Sequence, residues 1–370
     1  MQNDAPLTRT AFSPDELRER IGRLPRFPLA HLPTPLEPLP RLSQTLGGPT
    51  IHIKRDDCTG LAFGGNKTRH NEFLIADALR KNADLFVWGA GVQSNNCRQT
   101  AAACAKAGLD CHLVLGRGKP ADGPDVIQGN LLLDHLVGAG YDIVEATIGT
   151  ELDERIDGAA ADFRRQGRTV YAWDRETVKP LAAVSYVLAM IELTEQASAR
   201  GFTPDGVYVS SAGSTGSGLA LGTAAMGLPC PVRSICPIRW EWDTQQDMAR
   251  IANQAAALIG IDTRLERDEL EITFDYIGPG GYGSVSPGCL EAIALLARTE
   301  GILVDPVYSG KALAGLIDHI RSGRLTAEQN VVFVHTGGTP ALFAFHEELT
   351  RGIMPRTIGA LSSDPFAGSG

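Results

Sequence analysis

From about residue 50 to residue 338, short β-branched and aromatic runs alternate with segments whose apolar positions recur at helical spacing. PTIHIKRDD (49–57) reads as a first strand, and TRHNEFLIADALRKNA (68–83), with Phe73, Leu74, Ala78 and Leu79 on one face, reads as a helix. Strand runs follow at 84–90 (DLFVWGA), 111–116 (CHLVLG), 142–146 (DIVEA) and 169–173 (TVYAW), with helical patterns between them at 94–108, 129–140 and 151–167. An Ala/Leu helix from 179 reopens the pattern, and strands at 206–212 (GVYVSSA), 232–238 (VRSICPI) and 330–338 (NVVFVHTGG) continue it. Helices of this length between strands predict right-handed βαβ crossovers and parallel sheets.

A change of character near 170–180 divides the pattern into two blocks. The expected fold class is therefore α/β: two domains, each an open, twisted, mostly parallel sheet with helices on both faces. The larger comprises 1–69 plus 179–370 and the smaller 70–178. A ligand is expected in the cleft between them. Residues 24–42 carry six prolines interleaved with Leu and Phe, which predicts an extended segment wrapped over the body. The tail LSSDPFAGSG reads as frayed.

Composition narrows the partners. With 370 residues, 43% hydrophobic and 21% charged, the chain can bury a large core without staples. A net charge of -9 with no basic block argues against nucleic acid. Seven cysteines, odd in number and lacking CxxC or Cys/His spacing, read as reduced, mostly buried thiols and argue against a metal site. No apolar run approaches the roughly 20 residues of a membrane span, and MQNDAPLTRTAFSPDELRERIG lacks a signal-type apolar core, so a cytoplasmic protein without membrane contact is expected.

Candidate chemistry sits in the loops. In YVSSAGSTGSGLALG a strand enters Gly213, Ser214, Thr215, Gly216, Ser217 and Gly218 and then a helix, the arrangement of a phosphate cradle; taken alone, a flexible turn is the competing reading. The run is neither GxGxxG nor GxxxxGK[ST], and no acidic ribose ligand follows, which argues against a nicotinamide-dependent dehydrogenase. Lys67 stands behind two glycines and Asn66 where a loop becomes a helix. By itself it reads as a solvated first-turn lysine. A cradle for a lone phosphate together with a loop-mounted amine calls for pyridoxal 5'-phosphate. Ser94, Asn95 and Asn96 open an alanine-rich helix after a strand, where either a plain N-cap or a carboxylate site fits. Tyr282 and Tyr308 lie in Gly/Pro-rich loops and are candidate acids.

Together, LPTPLEPLPRLS, IKRDDCTGLAFGGNKTR, VQSNNCRQTAA, GSTGSG, GPGGYG, DPVYSGKALAGLI and HTGGTPALFAF resemble the pyridoxal-phosphate enzymes of the tryptophan-synthase-β-like fold (fold type II), in the group of D-cysteine desulfhydrase and 1-aminocyclopropane-1-carboxylate deaminase, over about residues 28–346. The resemblance implies Lys67 as Schiff-base lysine and base, Asn66 beside the cofactor, and Ala212, Gly213, Ser214, Thr215 and Gly216 as the phosphate loop. It implies Ser94 and Asn95 at the substrate carboxylate and the cofactor's phenolic oxygen, Tyr282 and Tyr308 facing the substrate, Thr336 near the pyridine nitrogen, and a homodimer. Deaminases of the group tend to carry Glu after the second tyrosine and Leu before the final glycines; Ser309 and Thr336 stand here. That favours D-cysteine desulfhydrase, a β-eliminating lyase acting on a small amino acid.

Three departures bear on the substrate. His70 replaces the family's lysine three residues after the Schiff-base lysine, Asn96 replaces the usual His or Gln, and WDRETVKPLAA replaces a Gly/Ser/Pro-rich segment. Arg175 and Lys179 in that segment read either as solvated or as cleft-facing, the latter favouring a second anionic group. L-Cysteate sulfo-lyase, the cyclopropane deaminase and a cofactor-binding protein without catalysis are the alternatives.

Overall fold

The computed structural model describes residues 11–117 and 126–355. The tail read as frayed, 361–370, and residues 1–10 of the amino-terminal segment lie outside the described residues. In chain order the elements begin with α1 (Pro14–Ile21), β1 (Leu36–Pro38), α2 (Pro40–Leu46), β2 (Thr50–Lys54) and α3 (Asn66–Arg80). Then come β3 (Leu85–Gly91), α4 (Asn95–Ala107), β4 (Asp110–Gly116), α5 (Gly129–Leu136), β5 (Gly140–Val144), α6 (Thr150–Arg165) and β6 (Val170–Ala172). The remainder comprises α7 (Val178–Ala199), β7 (Gly206–Ser210), α8 (Ser214–Ala225), β8 (Val232–Ile235), α9 (Thr244–Leu258), β9 (Glu271–Thr273), α10 (Pro287–Glu300), α11 (Ser309–Arg321), β10 (Asn330–Val334), α12 (Ala341–Ala344) and α13 (His346–Gly352).

Two sheets result. The smaller has the order β5-β4-β3-β6 and is parallel throughout; the larger has the order β1-β2-β10-β7-β8-β9 and is parallel except for the edge pair β1–β2. Strands buried on both faces read as continuous apolar runs, and β7 and most of β3 show this. We propose that each sheet is the core of one domain, with 70–178 around the smaller and 1–69 with 179–370 around the larger. Helices α3 and α7 serve both: Phe73 packs in the core cluster of Val184 and Val187, whereas Leu74, Ile75 and Val178 pack with Phe86 and Trp88.

Some elements differ from expectation. The proline-rich segment is not wholly extended: Leu36–Pro38 forms β1, and Pro40 occupies the first position of α2, where a missing N–H costs nothing. The helix predicted from residue 68 starts at Asn66, which puts Lys67 in its first turn. The strand predicted at 142–146 begins at Gly140 instead. Cys58 is exposed and Cys111 partly so, while the other five thiols are buried.

Beneath the start of α3 lies a buried ion network. Arg69 Nη2 donates to Asp56 Oδ1 and Glu192 Oε1, each at 2.9 Å, and Lys54 Nζ reaches Glu192 Oε1 at 2.5 Å. Tyr186 Oη donates to Asp56 Oδ2 at 2.6 Å, and Thr34 Oγ1 to Asp56 Oδ1 at 2.8 Å. Burial alone would raise the Asp56 carboxyl, but Arg69 beside it holds it below the usual carboxylate range. Replacing Arg69 by Met strands two carboxylates in the interior. Arg69→Met is expected to cost about 3–5 kcal/mol, read as a fall in the urea unfolding midpoint; a cost under about 1 kcal/mol, as for an exposed pair, would show the network to be solvated.

Candidate active site

The carboxyl ends of β3, β7 and β10 and the loop after β2 point to one cavity of about 1100 Å³, part of it open to solvent. Its wall includes Asn66, Lys67, Ser94, Asn95, Asn96, Ala212, Gly213, Ser214, Thr215, Tyr282, Tyr308 and Thr336. These residues, spread over 270 positions of the sequence (66 to 336), thus meet in one place. Gly216 does not belong with them. Its N–H donates to Ser211 Oγ at 2.9 Å, and a Cβ on it would stand 2.4 Å from Ser234 Oγ, so it serves packing of the loop and not the cavity.

The glycines before Lys67 have a steric reason. Gly64 has φ +64° and a Cβ there would lie 2.0 Å from the Asp57 carbonyl oxygen; Gly65 has φ +127° and its Cβ would meet Gln99 Nε2 at 2.5 Å. From the opposite side Gly337 comes so close that its own Cβ would stand 2.7 Å from Gly65 Cα. Asn66 N then donates to the Thr336 carbonyl at 3.0 Å. Two loops from distant parts of the chain thus clamp the first turn of α3. Lys67 Nζ has no ion-pair partner among the described residues. Burial, together with the charge of Lys179, lowers its ammonium to about 8.

At the start of α8 the first N–H groups lack partners within the helix, and the helix dipole adds positive potential. Asn66 Nδ2 donates to Thr215 Oγ1 at 2.9 Å, and His70 Nε2 is 3.2 Å from the same oxygen. Burial, with Lys67 and Arg69 nearby, keeps His70 well below the usual imidazole range, so the ring is neutral. Ser210 Oγ is buried without a partner at the end of β7, and a Cβ on Gly213 would meet nothing within 4 Å. An open anion cradle across the cavity from an unpaired amine fits pyridoxal 5'-phosphate.

Ser94 caps α4: its Oγ accepts from Asn96 N at 3.1 Å and Cys97 N at 3.2 Å, which leaves its own proton for a ligand. Asn95 Oδ1 accepts from Asn130 Nδ2 at 2.9 Å, turning the Asn95 amide NH2 free. Tyr282 and Tyr308 share a short hydroxyl contact, and burial followed by the Tyr282 neighbour pushes the Tyr308 hydroxyl well above the ordinary phenol value. Ser309 Oγ lies 3.2 Å from Thr336 Oγ1 and donates to the Gly337 carbonyl at 3.0 Å.

Arg175 and Lys179 face this cavity and not solvent. Arg175 pairs with Asp153 and lies 4.2 Å over the Trp242 ring; Lys179 Nζ donates to Asp247 Oδ2 at 2.8 Å. Residues unforeseen from the sequence complete the wall: Trp173, Trp240 and Asp153, with Trp240 Nε1 donating to the Ala212 carbonyl at 3.0 Å. Their only sequence signal is that Trp173 opens the altered segment WDRETVKPLAA; Trp240 and Asp153 carry none.

Residues 28–337 match the family model described as pyridoxal-phosphate dependent enzyme. The chain is a pyridoxal-phosphate-dependent enzyme. It is 38% identical over 337 residues to the 1-aminocyclopropane-1-carboxylate deaminase of Burkholderia ambifaria (strain MC40-6), covering 90% of this chain and 99% of that one. It is likewise 38% identical over 333 residues to the D-cysteine desulfhydrase of Klebsiella pneumoniae (strain 342), covering 90% and 99%. A solved structure described as an ACC deaminase homologue is 32% identical, covers 91% of this chain and 99% of its own, and superposes with a TM-score of 0.83. A solved threonine deaminase from T.th., 20% identical over 88% of this chain and 96% of its own, shares the fold with a TM-score of 0.60. The enzyme therefore belongs to the deaminase and desulfhydrase family, a family of pyridoxal-phosphate lyases, and its fold is type II.

In cofactor-free enzyme, the Lys67 amine should be half neutral at about pH 8, well below an ordinary lysine. Reductive methylation followed by peptide mass mapping checks this: Lys67 labelling should reach half its limiting rate near that pH, and a midpoint at or above about 10 would contradict the site's electrostatics.

Proposed function

We propose that the enzyme eliminates the β-substituent of a small amino acid, with D-cysteine as substrate and sulfide, pyruvate and ammonia as products. The observation that carries this reading is the neutral Ser309–Thr336 hydroxyl pair, 3.2 Å apart, at the position expected beside the pyridine nitrogen. Hydroxyls there leave the ring a weaker electron sink than a carboxylate would, which suits departure of a good leaving group over opening of a carbon ring.

Bound in the cavity, the cofactor supplies an aldehyde that captures amines and a ring that accepts electrons from the carbon bearing the amino group. Lys67 Nζ would hold the aldehyde and, once the substrate amine is bound, would take the proton from that carbon. Its lowered affinity for protons lets it act as a base near neutral pH. The Ser94 hydroxyl, with the Asn95 N–H at the start of α4, would receive the substrate carboxylate, and the Asn95 NH2 would donate to the phenolic oxygen of the cofactor. Tyr308, protonated throughout the neutral range, hands a hydrogen bond to the departing sulfur, with Tyr282 relaying. Asn66 and Thr215 fix the phosphate loop against α3. The apolar wall of Ile148, Leu152 and Trp173 limits water around the reacting carbon.

A panel of D- and L-cysteine, D-serine, L-cysteate and the cyclopropane amino acid, assayed for released oxo acid, tests the proposal. D-cysteine should give the highest kcat/KM with equal yields of pyruvate and sulfide. Lys67→Ala should lose the visible absorption of the bound cofactor and at least about a thousandfold of turnover; faster formation of a four-carbon oxo acid from the cyclopropane substrate would place the enzyme with the deaminases.

A further inference from the structure

Lys179 stands in the cavity wall with Gly213, Ser214 and Thr215, and is only 5% exposed. Helix packing puts it there. Gly218 of α8 comes so near α7 that a Cβ on it would lie 2.1 Å from the Ala183 carbonyl oxygen and 2.6 Å from Tyr186 Cβ. One turn on, a Cβ at Gly222 would meet Met190 Cβ at 2.9 Å and Val187 Cα at 3.4 Å. Four residues of α8 therefore match four of α7 in the same direction. One turn back from Gly218, the residues that open α8 fall beside the first turn of α7, which contains Lys179.

The charges beside Lys179 do not cancel inside the protein. Its Nζ donates to Asp247 Oδ2 at 2.8 Å, but Asp247 also receives Arg250 Nη2 at 2.6 Å, so two cations share one partly buried carboxylate. The other partner of Arg250, Glu176, is an exposed carboxylate whose charge solvent screens. Arg175, by contrast, is matched by Asp153 and covered by the Trp240 and Trp242 rings. Trp240 lies 5.8 Å from Lys179 Nζ and holds the Ala212 carbonyl, joining the lysine's surroundings to the loop. On the other side of the loop, position 70 carries a histidine 3.2 Å from Thr215 Oγ1, its ring kept neutral by burial and by Lys67 and Arg69. Ser210 Oγ, buried and unpartnered, lines the same space.

We propose that Lys179 is the charge partner of the cofactor's phosphate in this enzyme, supplying the positive charge from α7. A dianion held only by main-chain N–H groups and hydroxyls keeps most of its charge unmatched in a buried site. A lysine preset by its carboxylate, and sharing that carboxylate with a second cation, supplies the match.

Dissociation constants of the full-length, cofactor-stripped chain for pyridoxal 5'-phosphate and for pyridoxal, followed by tryptophan fluorescence, test this. Lys179→Gln should weaken pyridoxal 5'-phosphate by about tenfold to a hundredfold and leave pyridoxal nearly unchanged. Lys179→Arg should retain most of the preference, and adding His70→Lys to Lys179→Gln should restore it. An unchanged ratio of the two affinities in correctly folded Lys179→Gln overturns the proposal. So does an equal loss of both, or weakened L-cysteate binding with the cofactor ratio intact. None of these readings depends on which leaving group the enzyme expels.

Discussion

An amine proposed to hold a cofactor and then move a proton needs a footing that cannot shift, and here that footing is the buried network of Arg69, Asp56, Glu192 and Lys54. Four segments far apart in sequence, the proline-rich strap, the loop after β2, α3 and α7, meet in it through charge-assisted hydrogen bonds. Only Thr68 separates Arg69 from Lys67, so the network fixes the helical turn on which the lysine is mounted. Buried ion pairs are weak evidence of net stability, but they are specific about geometry, since any other arrangement leaves a bare charge inside. The glycine clamp of Gly64, Gly65 and Gly337 fixes the same turn from above, by contact instead of charge.

The two halves of the cavity use different physics. On the α8 side the binding groups are main-chain N–H groups and hydroxyls, which suit an anion. On the α4 side, Ser94 and Asn95 are each half-satisfied by neighbours within the protein, so that one donor of each remains pointed outward. Preset donors of this kind need no reorganisation when a ligand arrives. At the far end the Ser309 and Thr336 hydroxyls lie 3.2 Å apart, the pair on which the proposed function rests.

Much of this was legible in the sequence because parallel α/β proteins write their strands as apolar runs and their anion sites as glycine-rich strand-to-helix turns. Lys67, Ser94, Thr215, Tyr308 and Thr336, which the family resemblance implied would meet, line one cavity. What was not legible depends on long-range contact. Gly216 looks like part of the cradle in the linear motif, yet its N–H is spent on Ser211, five residues back. Arg175 and Lys179 read first as solvated in the sequence, and only the fold brings Asp153, Asp247 and the Trp240–Trp242 stack around them. Trp240 has no local pattern, and its role follows only from the fold bringing β8's loop to the Ala212 carbonyl. The proline-rich strap misled in part because proline at the first position of a helix is favourable, a use that composition cannot separate from an extended chain.

The paired glycines at 218 and 222 carry one last implication. They work as a zip between α7 and α8, and neither approaches any ligand, yet the distance from the lysine-bearing helix to the anion cradle is set by their lack of side chains. A methyl group added to either would splay the two helices at the cavity's floor. Tolerance to variation at these positions is thus governed by chemistry performed elsewhere in the molecule.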